Sequence, residues 1–262
     1  MSRASSPQAV RRVLAAGSCL PLLLAGCGNQ YRPVVSAVNP VGPAGQPTKY
    51  AVVLSNPGPG MLTFVDFSGD TVIYTPSVQA APTYLAVNTS GSEGYTVNAL
   101  GTLDNFGVSN PAALRTVDVT QSTLPAGASP NNITPISLSG SSGAGLFIPE
   151  TTANRVAALT ASGQLIQEVT VSATPQYIVG TDNTPRVYSL NSDGTASAIE
   201  NSTGSGLIVS TNLTVGANPV YGLMDGSARR AYVLNGGSQS VSVINVVNNT
   251  LDTGVPGGTI SR

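Results

Sequence analysis

Residues Ala217–Val247 read ANPVYGLMDGSARRAYVLNGGSQSVSVINVV, and this stretch decides the fold because its pattern recurs upstream. Aligned on a proline, the copies are anchored at Pro82 (AAPTYLAV), Pro130 (ASPNNITPI), Pro175 (ATPQYIVG) and Pro219 (ANPVYGLM), at intervals of 48, 45 and 44 residues. Tyr95, Tyr188 and Tyr232 each follow their proline by 13 residues, and Asn98, Asn191 and Asn235 by 16. The Pro130 copy keeps step only with about three residues inserted near Ser141–Gly143, which brings Leu146-Phe147-Ile148 into the tyrosine strand. In the last copy the spacing predicts strands over Val220–Met224, Arg230–Leu234, Ser240–Val246 and Thr250–Val255. Asp225-Gly226, Asn235-Gly236-Gly237 and Asn248-Asn249 separate them, and Gly and Asn tolerate the positive φ of tight hairpins. Both faces of these strands carry apolar residues, as sheets covered on both sides require.

A repeat of about 40–45 residues holding four short strands is the signature of a β-propeller blade. AYVLN followed by QSVSVINVVNNTLDT resembles the YVTN-type β-propeller repeat; VYSLN at Val187–Asn191 and YTVN at Tyr95–Asn98 match it more loosely, and LFIP at Leu146–Pro149 departs from it. The resemblance spans about Lys49 to Gly258 and implies an all-β propeller. Blades are expected over about 49–79, 80–126, 127–171, 172–215 and 216–257. The first lacks its proline-led strand, and no closing strand follows Gly258, so the ring is expected to be incomplete or poorly closed. A fragment of a ring of about seven blades and a five-bladed ring closed by the last residues both stay open.

Upstream of the repeats, Met1–Gly26 reads as a signal peptide forming a short helix. Arg3, Arg11 and Arg12 precede an apolar run, Val13–Ala25, of about 13 residues, too short to span a bilayer. Leu24-Ala25-Gly26-Cys27 matches the bacterial lipobox, and the resemblance implies acylation of Cys27 and attachment to the membrane. Cys19 is the rival site. Gly28, in place of an aspartate, leans towards the outer membrane, and both the general secretory and the twin-arginine routes stay open. Residues 27–48, with Pro33, Pro40, Pro43 and Pro47, read as a disordered tether.

Beyond the signal peptide eight basic residues face twelve acidic ones, a net charge of −4. A weakly acidic chain with no basic patch carries no electrostatic footprint for nucleic acid. With no His and only Cys19 and Cys27, the chain offers neither a Ser-His-Asp system nor a His or Cys metal site. No cofactor, metal or catalytic residue is expected. Glu150, Asp182, Asp193, Glu200 and Asp225 are the carboxylates that a lactonase-like propeller would need near its axis, but most fall at predicted turns. Asn98, Asn191 and Asn235 are expected to bond turn backbone, and Tyr95, Tyr188 and Tyr232 to pack between blades. The sequence thus points to a cell-envelope lipoprotein that binds or scaffolds, with a protein or an envelope polymer as partner. A lactonase-like hydrolase with a divalent metal is the alternative.

Overall fold

The computed structural model describes residues 50–55, 60–66, 71–108, 120–126, 128, 132–140 and 143–252. The chain divides into Met1–Gly45 and Gln46–Arg262, and all described residues lie in the second unit. The signal peptide, Cys27, the tether, Pro130 and the residues after 252 lie outside them.

The described residues are all-β, in five antiparallel sheets whose strands follow chain order. The first sheet holds β1 (Tyr50–Ser55), β2 (Met61–Asp66) and β3 (Thr71–Tyr74). The second holds β4 (Pro82–Val87), β5 (Glu93–Asn98), β6 (Thr102–Gly107) and β7 (Thr120–Thr123). The third holds β8 (Thr134–Pro135), β9 (Leu146–Glu150), β10 (Arg155–Leu159) and β11 (Leu165–Thr170). The fourth holds β12 (Pro175–Val179), β13 (Arg186–Asn191), β14 (Thr195–Ser202) and β15 (Gly206–Thr214). The fifth holds β16 (Pro219–Met224), β17 (Arg230–Asn235), β18 (Ser240–Asn245) and β19 (Thr250–Leu251). This is a β-propeller of four-stranded blades, with a three-stranded first sheet. Its outer strand, β3, ends at Tyr74, with an isolated Met61–Ser77 bridge beyond it.

The core is divided into four clusters, one at each junction of successive sheets. Leu62 and Phe64 meet Phe106 and Val108 at the first, where the Phe64 and Phe106 rings stand edge to face, 6.1 Å apart. Tyr95, Val97 and Leu103 meet Leu146, Ile148 and Ala157 at the second. Phe147, Val156 and Ala158 meet Ile178, Val187 and Ile199 at the third. Tyr188, Leu190 and Ala198 meet Ala231, Val233 and Ile244 at the fourth. The second, third and fourth sheets therefore each have a trailing face, against the sheet before, and a leading face, against the one after. Two-sided burial is why the strands are apolar on both faces, which alternating one-sided sheets are not.

Polar ties reinforce the junctions. Gln167 on β11 donates from Nε2 to the Leu207 carbonyl at 2.7 Å and accepts from Leu207 N at 2.9 Å, so its amide imitates a strand pair between the third and fourth sheets. Tyr188 Oη donates to Asn249 Oδ1 at 3.1 Å, from fourth sheet to fifth. The leading face of the fifth sheet has no such cover among the described residues: Leu223 and Leu234 are exposed there.

Candidate functional site

In the second, fourth and fifth sheets the pairing of the innermost strand with its neighbour slips at one place. Pro82 pairs with Asn98, but Tyr84 pairs with Val97. Pro175 pairs with Asn191 and Tyr177 with Leu190; Pro219 pairs with Asn235 and Tyr221 with Leu234. One extra residue on the innermost strand is a β-bulge, and a bulge re-aims the side chain beside it. The three bulges immediately precede Tyr84, Tyr177 and Tyr221. Ala81 (φ 54°) and Asn218 (φ 49°) hold left-handed backbone just ahead of two of the prolines. Asn adopts that region readily; Ala does not, and its strain belongs with the bulge it introduces.

These tyrosines converge. The Tyr177 and Tyr221 ring centroids lie 5.0 Å apart with planes inclined at 48°. Burial first, and then the neighbouring phenols of Tyr84 and Tyr221, push the Tyr177 hydroxyl well above the usual phenol range. It is therefore a neutral donor throughout the physiological range. The third sheet supplies Asn132 at the same register: Thr134 pairs with Phe147 as Val179 pairs with Tyr188 and Ala86 with Tyr95, and Asn132 lies two residues before Thr134. Asn132 is 3% exposed, its Oδ1 accepts from Thr134 Oγ1 at 3.3 Å, and its Nδ2 has no partner among the described residues. A buried donor left unpaired costs about 1–3 kcal/mol, so it calls for an acceptor. No charged residue occurs on β4, β8, β12 or β16. At this one position of the repeat the sheets thus place a neutral cup of residues: phenols on β4, β12 and β16, and an amide two residues ahead of β8.

The carboxylates lie elsewhere. Asp182, Asp193 and Asp225 are at turns as expected, but Glu150 and Glu200 are on β9 and β14. Asp225 Oδ1 accepts from Arg229 N at 2.7 Å and Arg230 N at 3.2 Å. Slight burial raises its pKa, but these bonds outweigh it and hold the carboxyl below the usual range. Asp193 is lowered likewise: partial burial opposes, while bonds from Ser172 Oγ (2.6 Å) and Thr195 win. Asp182 Oδ1 accepts from Ser137 N at 2.9 Å, tying the fourth sheet to the third. Glu200 pairs with Arg186 at 3.2 Å. Buried Glu150 pairs with Arg155 at 2.8 Å, and Arg155 also holds Glu168 at 2.9 Å. Among the described residues no three His, Cys, Asp or Glu come together.

Glu150 ends its strand where the other sheets place Asn98, Asn191 and Asn235. Asn98 caps its turn by accepting from Leu100 N at 2.9 Å and Thr102 N at 3.2 Å. The other two differ from expectation. Asn191 Nδ2 donates to Thr195 Oγ1 and Ser197 Oγ, and Asn235 Nδ2 to Ser240 Oγ and Ser242 Oγ, so they bond hydroxyls of the next strand instead of turn backbone. Tyr95 and Tyr188 are buried between sheets, and burial pushes the Tyr188 hydroxyl up to about 12. Buried Asp104, which the sequence did not single out, accepts from Gln79 N at 3.0 Å and Thr96 Oγ1 at 3.1 Å and fixes the approach to β4. A hollow of about 580 Å³ lies beside Asp225, Arg229, Arg230 and Asn245 on the fifth sheet, where Arg230 is paired with Asp252 at 3.0 Å. Arg229 and Arg230 cap Asp225 there through their backbone N–H groups.

The sequence signal for the cup was the Pro-x-Tyr triplet at Pro82, Pro175 and Pro219. Sequence reasoning passed over it in favour of the tyrosines 13 residues on, because the bulge just ahead of Tyr84, Tyr177 and Tyr221 exists only in the strand register.

No family model matches the chain, and no curated protein does. Solved structures do. A protein of unknown function from Desulfotomaculum acetoxidans is 17% identical, with a TM-score of 0.61 over 79% of this chain and 66% of that one. A Bacteroides fragilis protein with a provisional 6-phosphogluconolactonase assignment is 13% identical, with a TM-score of 0.57 over 78% and 66%. The dihydro-heme d1 dehydrogenase NirN is 14% identical, with a TM-score of 0.56 over 83% and 46%. The chain spans at most about two thirds of each of these structures. At such identities the likeness is one of fold alone, and the fold this chain shares with them is the propeller-like stack of antiparallel sheets.

Proposed function

We propose that the chain is a non-enzymatic binding module, held at the bacterial cell envelope through acylated Cys27, that engages its partner at the axial cup. The observation that carries this reading is the repeated bulge. Three sheets present a tyrosine from the same position of the innermost strand, and a fourth presents an amide. The acidic side chains considered as metal ligands are engaged in turn caps, junction ties and ion pairs, which gives the hydrolase reading no support from geometry. Two or three acyl chains on Cys27 give stable membrane attachment where one is marginal.

The test has two parts. Cys27→Ser in the full-length chain shifts the protein from the membrane to the soluble fraction and abolishes palmitate labelling; labelling that persists moves the anchor to Cys19, and a parent chain that takes up no label has none. Capture from detergent-solubilised envelope with the full-length protein returns a reproducible protein or polymer partner, and loses it with Tyr221→Ala. A bound stoichiometric divalent metal in the purified protein, with hydrolysis of lactones, overturns the reading in favour of an enzyme.

A further inference from the structure

We infer that the axial cup binds a neutral saccharide, an inference that rests on the binding-module reading above and names its ligand class. A pyranose ring has an apolar C–H face and a rim of hydroxyls. Aromatic side chains with a polar tip match that combination, the ring giving contact area and the hydroxyl fixing orientation. Tyr84, Tyr177 and Tyr221 provide three such rings, two of them 5.0 Å apart, and Tyr221 is 48% exposed, so its ring is accessible. The unpartnered Nδ2 of Asn132 adds a donor that a sugar oxygen would satisfy.

The charge pattern narrows the class. The strands that form the cup carry no Asp, Glu, Lys or Arg. A phosphate or carboxylate ligand would lose its hydration without gaining a counter-charge. A quaternary ammonium is the strongest rival, because tyrosine rings attract cations. Here the Asn132 amide presents a buried donor with no partner among the described residues. A donor of that kind suits an acceptor-rich neutral ligand better than a cation.

The chain has nine tyrosines and no tryptophan, so its intrinsic emission reports tyrosine alone. Full-length lipidated protein in a polyoxyethylene detergent, which carries neither sugar nor ammonium, is titrated with cellotetraose, maltotetraose, chitotetraose and choline chloride. At least one saccharide gives a saturable change with a Kd on the order of millimolar or tighter. Tyr221→Ala weakens it about tenfold and Asn132→Ala several-fold, while Tyr95→Phe, which alters a tyrosine buried between sheets, leaves it unchanged. No saturable response to any of the three saccharides overturns the inference, as does a response to choline alone or saccharide binding indifferent to Tyr221→Ala. Envelope capture run on the same preparation separates the two claims. Capture that depends on Tyr221 without saccharide binding defeats only the ligand class, and failure of both defeats the module.

Discussion

Glu150 occupies a position that three other sheets give to asparagine, and it is fully buried there. Burial raises its pKa, the Arg155 bond opposes, and Glu168 nearby raises it further; the net direction is upward from 4.5. An acid whose folded pKa is raised binds more protons folded than unfolded, so stability falls as pH climbs from about 4.5 through the folded value, and the cost stands in full above it. Gln at 150 keeps an acceptor for Arg155 Nε, and Arg155 keeps Glu168. Glu150→Gln is therefore expected to gain about 1 kcal/mol at pH 7, with the gain vanishing below pH ~4.5. Urea midpoints across that range check it, and a loss at pH 7 would mean the ion pair outweighs its desolvation. Asp193 has the opposite sign. Its carboxyl is held low by Ser172 and Thr195 after a small burial effect, so its contribution is present above the ordinary carboxylate range and lost as pH falls through its lowered pKa. Asp193→Asn thus costs stability near neutrality and nothing in strong acid, a difference that the same titration reads.

At the scale of strands and sheets, the order of elements was legible because proline, tyrosine and asparagine recur at fixed offsets and turns of Gly and Asn separate them. Even the Pro130 copy fits, since Thr134 opposes Phe147 four residues past the proline, as Val179 opposes Tyr188. The bulges, and with them the cup, were not legible, because a one-residue slip changes no residue type and appears only when the partner strand is known. Nor did the sequence separate Asn191 and Asn235 from Asn98: all three amides donate to a hydroxyl at the start of the next strand, and what sets Asn98 apart is that its oxygen also accepts from Leu100 N and Thr102 N. Glycine gives the clearest case of an element fixed by its neighbour. Gly222 lies inside β16, and a Cβ there would come within 2.5 Å of Val179 Cγ2 and 2.9 Å of the Tyr232 carbonyl oxygen. The carbonyl belongs to a paired strand and cannot retreat. Gly222→Ala is expected to destabilise by about 1–3 kcal/mol by forcing β16 away from the fourth sheet. Gly226→Ala, where a Cβ meets nothing within 4 Å, is the matched control, and thermal unfolding of the two variants should separate them clearly.

For the molecule as a whole, dividing the core among junctions makes stability a sum over neighbouring sheets, as in other repeat architectures. A residue matters according to whether its face has a neighbour. Leu190 and Leu234 sit at one position of the repeat: each opposes the bulged tyrosine, Tyr177 or Tyr221, across the innermost pair. Leu190 is 0% exposed, between the fourth and fifth sheets, while Leu234 is 44% exposed on the leading face of the fifth. Removing the buried side chain deletes its transfer energy and leaves a cavity that Tyr188 and Ala231 cannot fill, so Leu190→Ala is expected to cost about 3 kcal/mol. Leu234→Ala, with nothing packed over it, should cost less than about 1 kcal/mol. Native-state hydrogen exchange should rank the sheets the same way, with β13 and β14 amides the slowest and those of β18 and β19 faster, because the fourth sheet has a junction on each face. Guanidinium unfolding of the two alanine variants decides the matter. Equal losses would mean that the leading face of the fifth sheet is covered in solution, and the ordering of exchange rates would then collapse with it.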